Sequence, residues 1–332
     1  MLTFIFITIF FAILSESKAL QSRSAPAIMP SMNSKELTDS GLDILRPVKL
    51  SAPVVFSSPH SGRRYPRAFL TQSRLDALAL RRSEDSFVDE IFSTVTDFGA
   101  PLIRALFPRA YVDANREPFE LDPNMFDECL PDYVRTHSPR ITSGLGTIPR
   151  VVANGAAIYS APLTFAEARQ RIEAHHQPYH RALSALLEET RHKFGVTLLI
   201  DCHSMPSQQV LGGNHKKNRE ADIVLGDNHG TTCAPEVTSL AEQVLIDTGF
   251  NVVRNCPYAG GYITRCYGQP EFGQHSLQVE INRSLYMDER SIQRGPELPG
   301  ITRRMSRLIK TLTEIKLEIL KPESQTISKA AE

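Results

Sequence analysis

Three apolar runs in the chain carry ionisable side chains at or near their ends. Ala52 to Ser58 runs into Pro59-His60-Ser61-Gly62. Val196 to Ile200 runs into Asp201-Cys202-His203-Ser204, and Leu277-Gln278-Val279-Glu280-Ile281-Asn282-Arg283 holds an acid inside an apolar stretch. Each reads as a buried strand, and Pro59, Gly62 and Pro206 stop the first two. Alternate strand residues share a face, so Asp201 and His203 point one way and Cys202 the other, into packing. Val279 and Ile281 share one face, and Gln278, Glu280 and Asn282 the opposite one. One histidine after a strand is more often a packing residue than a ligand. Two such strand ends in one chain favour a catalytic metal, which then wants a carboxylate as third ligand. Glu280 in a buried strand is costly unless paired, protonated or facing a polar cleft. A buried ion pair is the plain reading, and a general base the one that the histidines favour.

Other segments supply candidates for the remaining parts. Glu84 and Asp85 follow Ser83, a plausible N-cap. Phe87, Val88, Ile91, Phe92, Val95 and Phe98 recur at helical spacing up to Gly99, which predicts an amphipathic helix whose dipole alone would explain the two acids. Leu102–Leu106 and Ala110–Asp113 read as strands around Phe107-Pro108-Arg109. The pair Asn115-Arg116 offers a planar fork with a neighbouring amide, suited to a carboxylate or to a surface ion pair. Gly260-Gly261, between Tyr258 and Tyr262, predicts either a close backbone approach to a ligand or a tight hairpin. His176 and His180 have chelating i, i+4 spacing, but no HExxH is present and Pro178 lies between them. They read, with His175 and His192, as packing or solvent residues.

The elements that must position these groups alternate. Thr164-Phe165-Ala166-Glu167 is a capping box opening a helical pattern to Phe194-Gly195, which Pro178 should kink or split. Ala221–Asp227 and Asn251–Arg254 read as strands about a helix from Pro235 to Thr248, and residues 299–320 as a closing amphipathic helix. The Pro-, Gly- and Ser-rich stretch 117–162 is long for a loop and suits an insertion covering the substrate. Gly144-Leu145-Gly146-Thr147 within it matches no nucleotide-binding pattern. The result is one α/β domain over 49–320, a mixed, mostly parallel sheet with helices on both faces, after an apolar segment and a disordered lead-in over 1–48 and before a flexible tail over 321–332.

At 332 residues, with 41% hydrophobic and 22% charged residues, the composition is that of an ordinary globular protein. Lys plus Arg and Asp plus Glu balance at 37 each, which gives no support to a nucleic-acid or acidic-membrane partner. The five cysteines contain no CxxC pair and read as reduced thiols. Residues 1–14 are almost wholly apolar, yet no Lys or Arg precedes Lys18, so the positive start of an export signal is missing. Met29 and Met32 are alternative starts. A cytoplasmic protein is the expectation, with export through residues 1–19 as the alternative.

Taken together, Ser58-Pro59-His60-Ser61-Gly62, Asp113-x-Asn115-Arg116, Asp201-Cys202-His203-Ser204-Met205-Pro206, Tyr258-x-Gly260-Gly261-Tyr262 and Leu277-Gln278-Val279-Glu280 resemble the N-formylglutamate amidohydrolase (deformylase) family from about Pro53 to Asp288. The resemblance implies a fold like that of zinc carboxypeptidases and hydrolysis of a small N-acyl amino acid, N-formylglutamate of histidine breakdown first among them. It implies one zinc ion, with His60 and His203 as ligands and the third from Glu84-Asp85, here assigned to Asp85 with Glu84 or Asp89 as alternatives. Arg63 stands where a carboxypeptidase has its acidic ligand. Glu280 would be the base, Arg109 would help stabilise the oxyanion, and Asn115, Arg116, Gly260, Gly261 and Tyr262 would hold the substrate. Asp201 would orient His203. Related N-acyl-amino-acid deacylases, carboxypeptidase-like amidases and non-catalytic binding proteins for acidic amino acids are the competing readings.

Overall fold

The computed structural model describes residue 32 and residues 34–152, 154–207 and 221–322. The apolar N-terminal run and most of the predicted tail lie outside them. Seven strands form one sheet: β1 (Leu42–Leu45), β2 (Val54–Ser58), β3 (Leu102–Ala105), β4 (Thr197–Met205), β5 (Ile223–Gly226), β6 (Val252–Arg254) and β7 (Gln274–Asn282). Their spatial order is β1-β3-β2-β4-β7-β5-β6. Within this sheet only the β1–β3 and β5–β7 pairs are antiparallel, so the expected mixed, mostly parallel sheet is present.

β4 and β7 lie side by side in the middle. All nine residues of β4 are buried, as a strand covered on both faces must be. One face carries Phe56, Ile200, Cys202, Val279 and Ile281 into a core closed by α6 (Leu298–Thr313). The other carries Val55 and Leu199 against Tyr179, Leu183 and Leu186 of α3 (Gln177–Phe194). Each fully buried aliphatic side chain contributes roughly 1.5–3 kcal/mol of transfer free energy, so this double core fixes the register. Asp201, His203, Gln278 and Glu280 follow the same alternation onto the α3 side.

Several predicted elements differ. The expected disordered lead-in holds a short helix, Ser34–Asp39, and the edge strand β1, whose pairing with β3 orders it. The closing helix predicted over 299–320 ends at Thr313, before a 3-10 turn over Leu317–Leu320. The helix expected from Ser83 begins only at α1 (Val88–Ile91) and continues as a 3-10 turn over Ser93–Phe98. Phe87 takes a left-handed φ of 69°, which no helix accommodates. The backbone of 84–87 instead folds across the turn at His60, with Asp85 N donating to His60 O at 3.0 Å. Ala110–Asp113 is not a strand. Tyr111 and Val112 donate to Pro108 O in a turn, and Asp113 Oδ1 accepts the Asn115 amide at 2.8 Å; this local bond competes with any ladder. Gly260-Gly261 makes no hairpin, because Gly261 opens α5 (Tyr262–Tyr267).

The long helix splits where proline predicts. Thr164 caps α2 (Phe165–Arg171) by accepting the Glu167 amide, a π turn follows over Ile172–His176, and α3 starts with Pro178 in its first turn. Pro178 has no N–H to give an α-helical partner, and the π turn absorbs that defect. Among the described residues, no helix is long and apolar enough to cross a membrane.

Candidate metal-binding and catalytic site

His60 sits in the turn that ends β2. Gly62 is required there, since a Cβ at that position would lie 2.1 Å from Phe107 O. Ser61 Oγ donates to Asp85 O at 3.0 Å and accepts the Asp89 amide at 3.2 Å, which ties the turn to the segment before α1. That tie presents Asp85, fully buried, to both histidines. Asp85 Oδ2 lies 3.0 Å from His203 Nδ1 and 3.3 Å from His60 Nδ1. Glu84 is held elsewhere, by Tyr65, Arg81 and Ser86, and Asp89 by Arg63 and Arg104.

Each histidine is backed by its own carboxylate. His60 Nε2 donates to Asp113 Oδ1 at 2.7 Å, and His203 Nε2 lies 2.9 Å from Asp201 Oδ2. That bond puts the His60 ring proton on Nε2 and turns its Nδ1 lone pair toward Asp85, and His203 Nδ1 is within hydrogen-bond distance of the same oxygen. His60 Nδ1, though close to Asp85 Oδ2, has no hydrogen-bond partner among the described residues. A buried imidazole lone pair facing a carboxylate oxygen is repulsive unless a cation lies between them. The three candidate ligand atoms lie within 4.8 Å of one another. Tetrahedral zinc with bonds of about 2.0–2.1 Å sets its ligand atoms roughly 3.3 Å apart, close to the two separations seen. Imidazole–carboxylate pairs behind a metal are the usual outer support of such sites. The residues present fit a divalent metal.

The charges around this triad are unequal. Asp85, Asp113, Asp201 and Glu280 face Arg109, Arg116 and Arg283. Burial opposes ionisation of Asp85, but the hydrogen bond from His203 and the Arg283 charge hold it well below the usual carboxylate range. Arg283 Nη2 donates to Asp85 Oδ1 at 2.9 Å while its Nε binds Ser204 Oγ at 3.0 Å, so Asp85 is aimed from behind. Burial opposes charge on His203 too, yet Asp201, with the hydrogen bond to it, pushes that imidazole well above its ordinary value.

Glu280 is the ladder partner of His203 across β4 and β7. Burial and the neighbouring Asp85 push its carboxyl up to about 7, against the pull of His203 and of the Arg109 and Arg283 guanidiniums. Gln278 Nε2 donates to Glu280 Oε1 at 3.0 Å, and Gln278 Oε1 accepts the Gly261 amide at 2.8 Å. Arg109 binds Asp113 Oδ2 through Nε at 3.0 Å, and among the described residues its terminal nitrogens have no hydrogen-bond partner.

The Asn115-Arg116 pair is buried beside this group. Asn115 Oδ1 accepts the Ile263 amide at 2.8 Å, which orients Nδ2 toward His203 at 3.1 Å and Asp201 at 3.5 Å. Arg116 gives Nε to Leu145 O and Nη1 to Asn115 O, and its Nη2 lies 3.7 Å from Asp113 Oδ2. Burial, partly offset by Asp113, pushes the Arg116 guanidinium down to about 10. Gly261 must be glycine, because a Cβ there would lie 2.2 Å from Asn115 Nδ2. Tyr262 meets the His180 ring edge-on instead, with centroids 5.4 Å apart.

Sequence reasoning did not single out Asp113, Gln278 and Arg283 as working parts of the site. Asp113 and Arg283 close the quoted stretches Ala110–Asp113 and Leu277–Arg283, and Gln278 shares a strand face with Glu280. Period-2 alternation alone recovers Gln278, whereas the other two act after the chain has left the strand.

Two histidines and a carboxylate thus lie beside a buried glutamate at the seven-stranded sheet, a set of groups able to hold a metal ion and move a proton. The profile of N-formylglutamate amidohydrolase matches residues 52–287, and the chain belongs to that family. A Pseudomonas aeruginosa protein named N-formylglutamate deformylase is 31% identical over 72% of this chain and 84% of its own length. Its Pseudomonas putida namesake is 30% identical over 71% and 82%. The crystal structure of N-formylglutamate amidohydrolase from Ralstonia eutropha JMP134 is 34% identical, with a TM-score of 0.78, covering 83% of this chain and 98% of that one.

Proposed function

We propose that the chain hydrolyses N-formyl-L-glutamate to formate and L-glutamate, with one zinc ion held by His60, Asp85 and His203. The observation that carries the metal reading is the convergence of two imidazole Nδ1 atoms on one Asp85 oxygen, each ring backed by its own carboxylate. The substrate reading rests on the names of the bacterial relatives. A divalent ion bound there supplies Lewis-acid polarisation of the scissile carbonyl and a water of lowered pKa.

The protein supplies the rest. Glu280, with its carboxyl near 7, takes a proton from the attacking water and returns one to the leaving amine nitrogen as the C–N bond breaks. Arg109, whose terminal nitrogens have no hydrogen-bond partner among the described residues, is the better placed guanidinium to meet negative charge developing on the former carbonyl oxygen. Arg116 keeps Nη2 for a substrate carboxylate, and Gly261, Asn115 and Tyr262 shape the wall beside it. Asp201, 2.9 Å from His203 Nε2, orients that ring.

Turnover of N-formylglutamate, N-acetylglutamate and a short peptide, measured before and after chelation, tests this reading. Preference for the formyl compound, loss of activity on chelation and recovery with zinc are expected. No turnover of N-formylglutamate overturns the substrate reading, and full activity after metal removal overturns the metal reading.

A further inference from the structure

The junction of the π turn with α3 points three polar side chains at the backs of the groups that hold the two site histidines. His176 Nε2 lies 2.8 Å from Arg116 O, and His180 Nε2 2.8 Å from Ala114 O. These two carbonyls bracket Asn115, in the loop whose Asp113 binds His60. Between them in sequence, Tyr179 OH lies 2.8 Å from Ser57 Oγ, which donates to Asp201 Oδ1 at 3.2 Å, and Asp201 binds His203. A carbonyl accepts only, so both histidines carry their proton on Nε2, and His180 Nδ1 is left to accept from Tyr267 OH at 2.9 Å. Tyr179 is fully buried, and His176 is 2% exposed.

In an unbroken α-helix, residues 176, 179 and 180 share one face with 172 and 173. Here the extra residue of the π turn over Ile172–His176 rotates the following helix relative to α2. The rotation separates the phase of α3 from that of α2, whose Arg171 binds Tyr159 and Glu167 instead. A π turn and three polar groups, two of them buried, directed at two separate metal-site supports exceed what packing α3 on the sheet requires. Leu183, Leu186 and Leu187 already do that.

We infer that His176, Tyr179 and His180 form a positioning brace, set in phase by the π turn, that holds Asp113 and Asp201 and through them fixes both metal-ligating imidazoles. None of the three touches the metal triad. This inference rests on the metal reading of the site and assigns the affinity of that site to a helix one layer behind it.

Zinc and cobalt(II) titration of the chelator-stripped protein, in competition with a chromophoric chelator, tests it. His176→Phe and His180→Phe, which keep ring volume and lose the donor, should each weaken metal affinity about 10–100-fold, the usual range for such supports. Tyr179→Phe, which removes only a hydroxyl and is the variant surest to fold, should weaken it about tenfold. His180→Gln, whose amide N–H can reach the Ala114 carbonyl, should restore most of the loss. The cobalt(II) absorption band of the Phe variants should shift, as the ligand geometry relaxes. Parent-like affinities and an unshifted band in all three Phe variants, with only their melting temperatures lowered, would overturn the brace while leaving the site intact. A parent protein that takes up neither metal would overturn the metal reading, and the brace with it.

Discussion

Asp201, His203, Gln278 and Glu280 stand on two neighbouring strands, whereas His60, Asp85 and Asp113 hang from three irregular segments. On the strands, ladder register pairs His203 with Glu280 and Asp201 with Gln278, and two hydrophobic cores hold that register. In the irregular half, position comes from single hydrogen bonds: Ser61 to Asp85, the Asn115 amide to Asp113, Arg283 to Asp85. A side chain on a covered strand is placed by many weak contacts at once, and one on a turn by a few strong ones. The strand half should therefore tolerate loss of one polar partner better than the turn half.

The largest expected effect separates chemistry from metal holding within the strand half. Glu280→Gln should lower turnover by about a hundredfold or more while metal affinity stays within a few fold of the parent; near-normal turnover would remove Glu280 from the proton transfers. Next, Asp113→Asn and Asp201→Asn remove the matching carboxylate from each half. Metal titration should show about a 100-fold loss for Asp113→Asn and about tenfold for Asp201→Asn, within the range for such supports. Equal losses would erase the distinction between the two halves. Gly261→Ala drives a methyl into Asn115 and should lower stability by about 3 kcal/mol in denaturant unfolding; an unchanged midpoint would show that the loop yields freely.

The smallest effect concerns pH. Burial, followed by the neighbouring His176, pushes His180 down to about 3. The folded state therefore refuses a proton that the unfolded chain accepts below about 6.5. Stability from this group is present above that value and is lost as pH falls from there toward 3. Between pH 7 and 5 the parent should lose about 2 kcal/mol that His180→Gln keeps, as read by unfolding at both pH values. Identical pH slopes would mean that the ring is protonated in place.

The same contrast explains what the sequence makes legible. Apolar runs with period-2 alternation identify β2, β4 and β7 and the faces of Asp201, His203 and Glu280, because burial on both sides leaves a strand one register. Position 85 is harder. A helix starting at Ser83 is the locally favoured reading of its pattern, and only the tertiary bond from Asp85 N to His60 O, with Phe87 in a left-handed conformation, overrides it. Asp113 reads as a strand end for a similar reason: its Asx-type bond to Asn115 is invisible to periodicity. His176 and His180 read as packing because their partners are backbone carbonyls, which every residue has. Their i, i+4 spacing carries no mark of which carbonyls they meet.

The pairing of His203 with Glu280 has a consequence for engineering. Their separation is set by the spacing between adjacent strands, about 4.8 Å, and neither loop remodelling nor a change of substrate can retune it. The residues around Asn115, the stretch 117–162 and the turn at 258–262 are outside that ladder. A library confined to those segments leaves the His203–Glu280 register intact, so any change that it brings to the site comes without moving that pair.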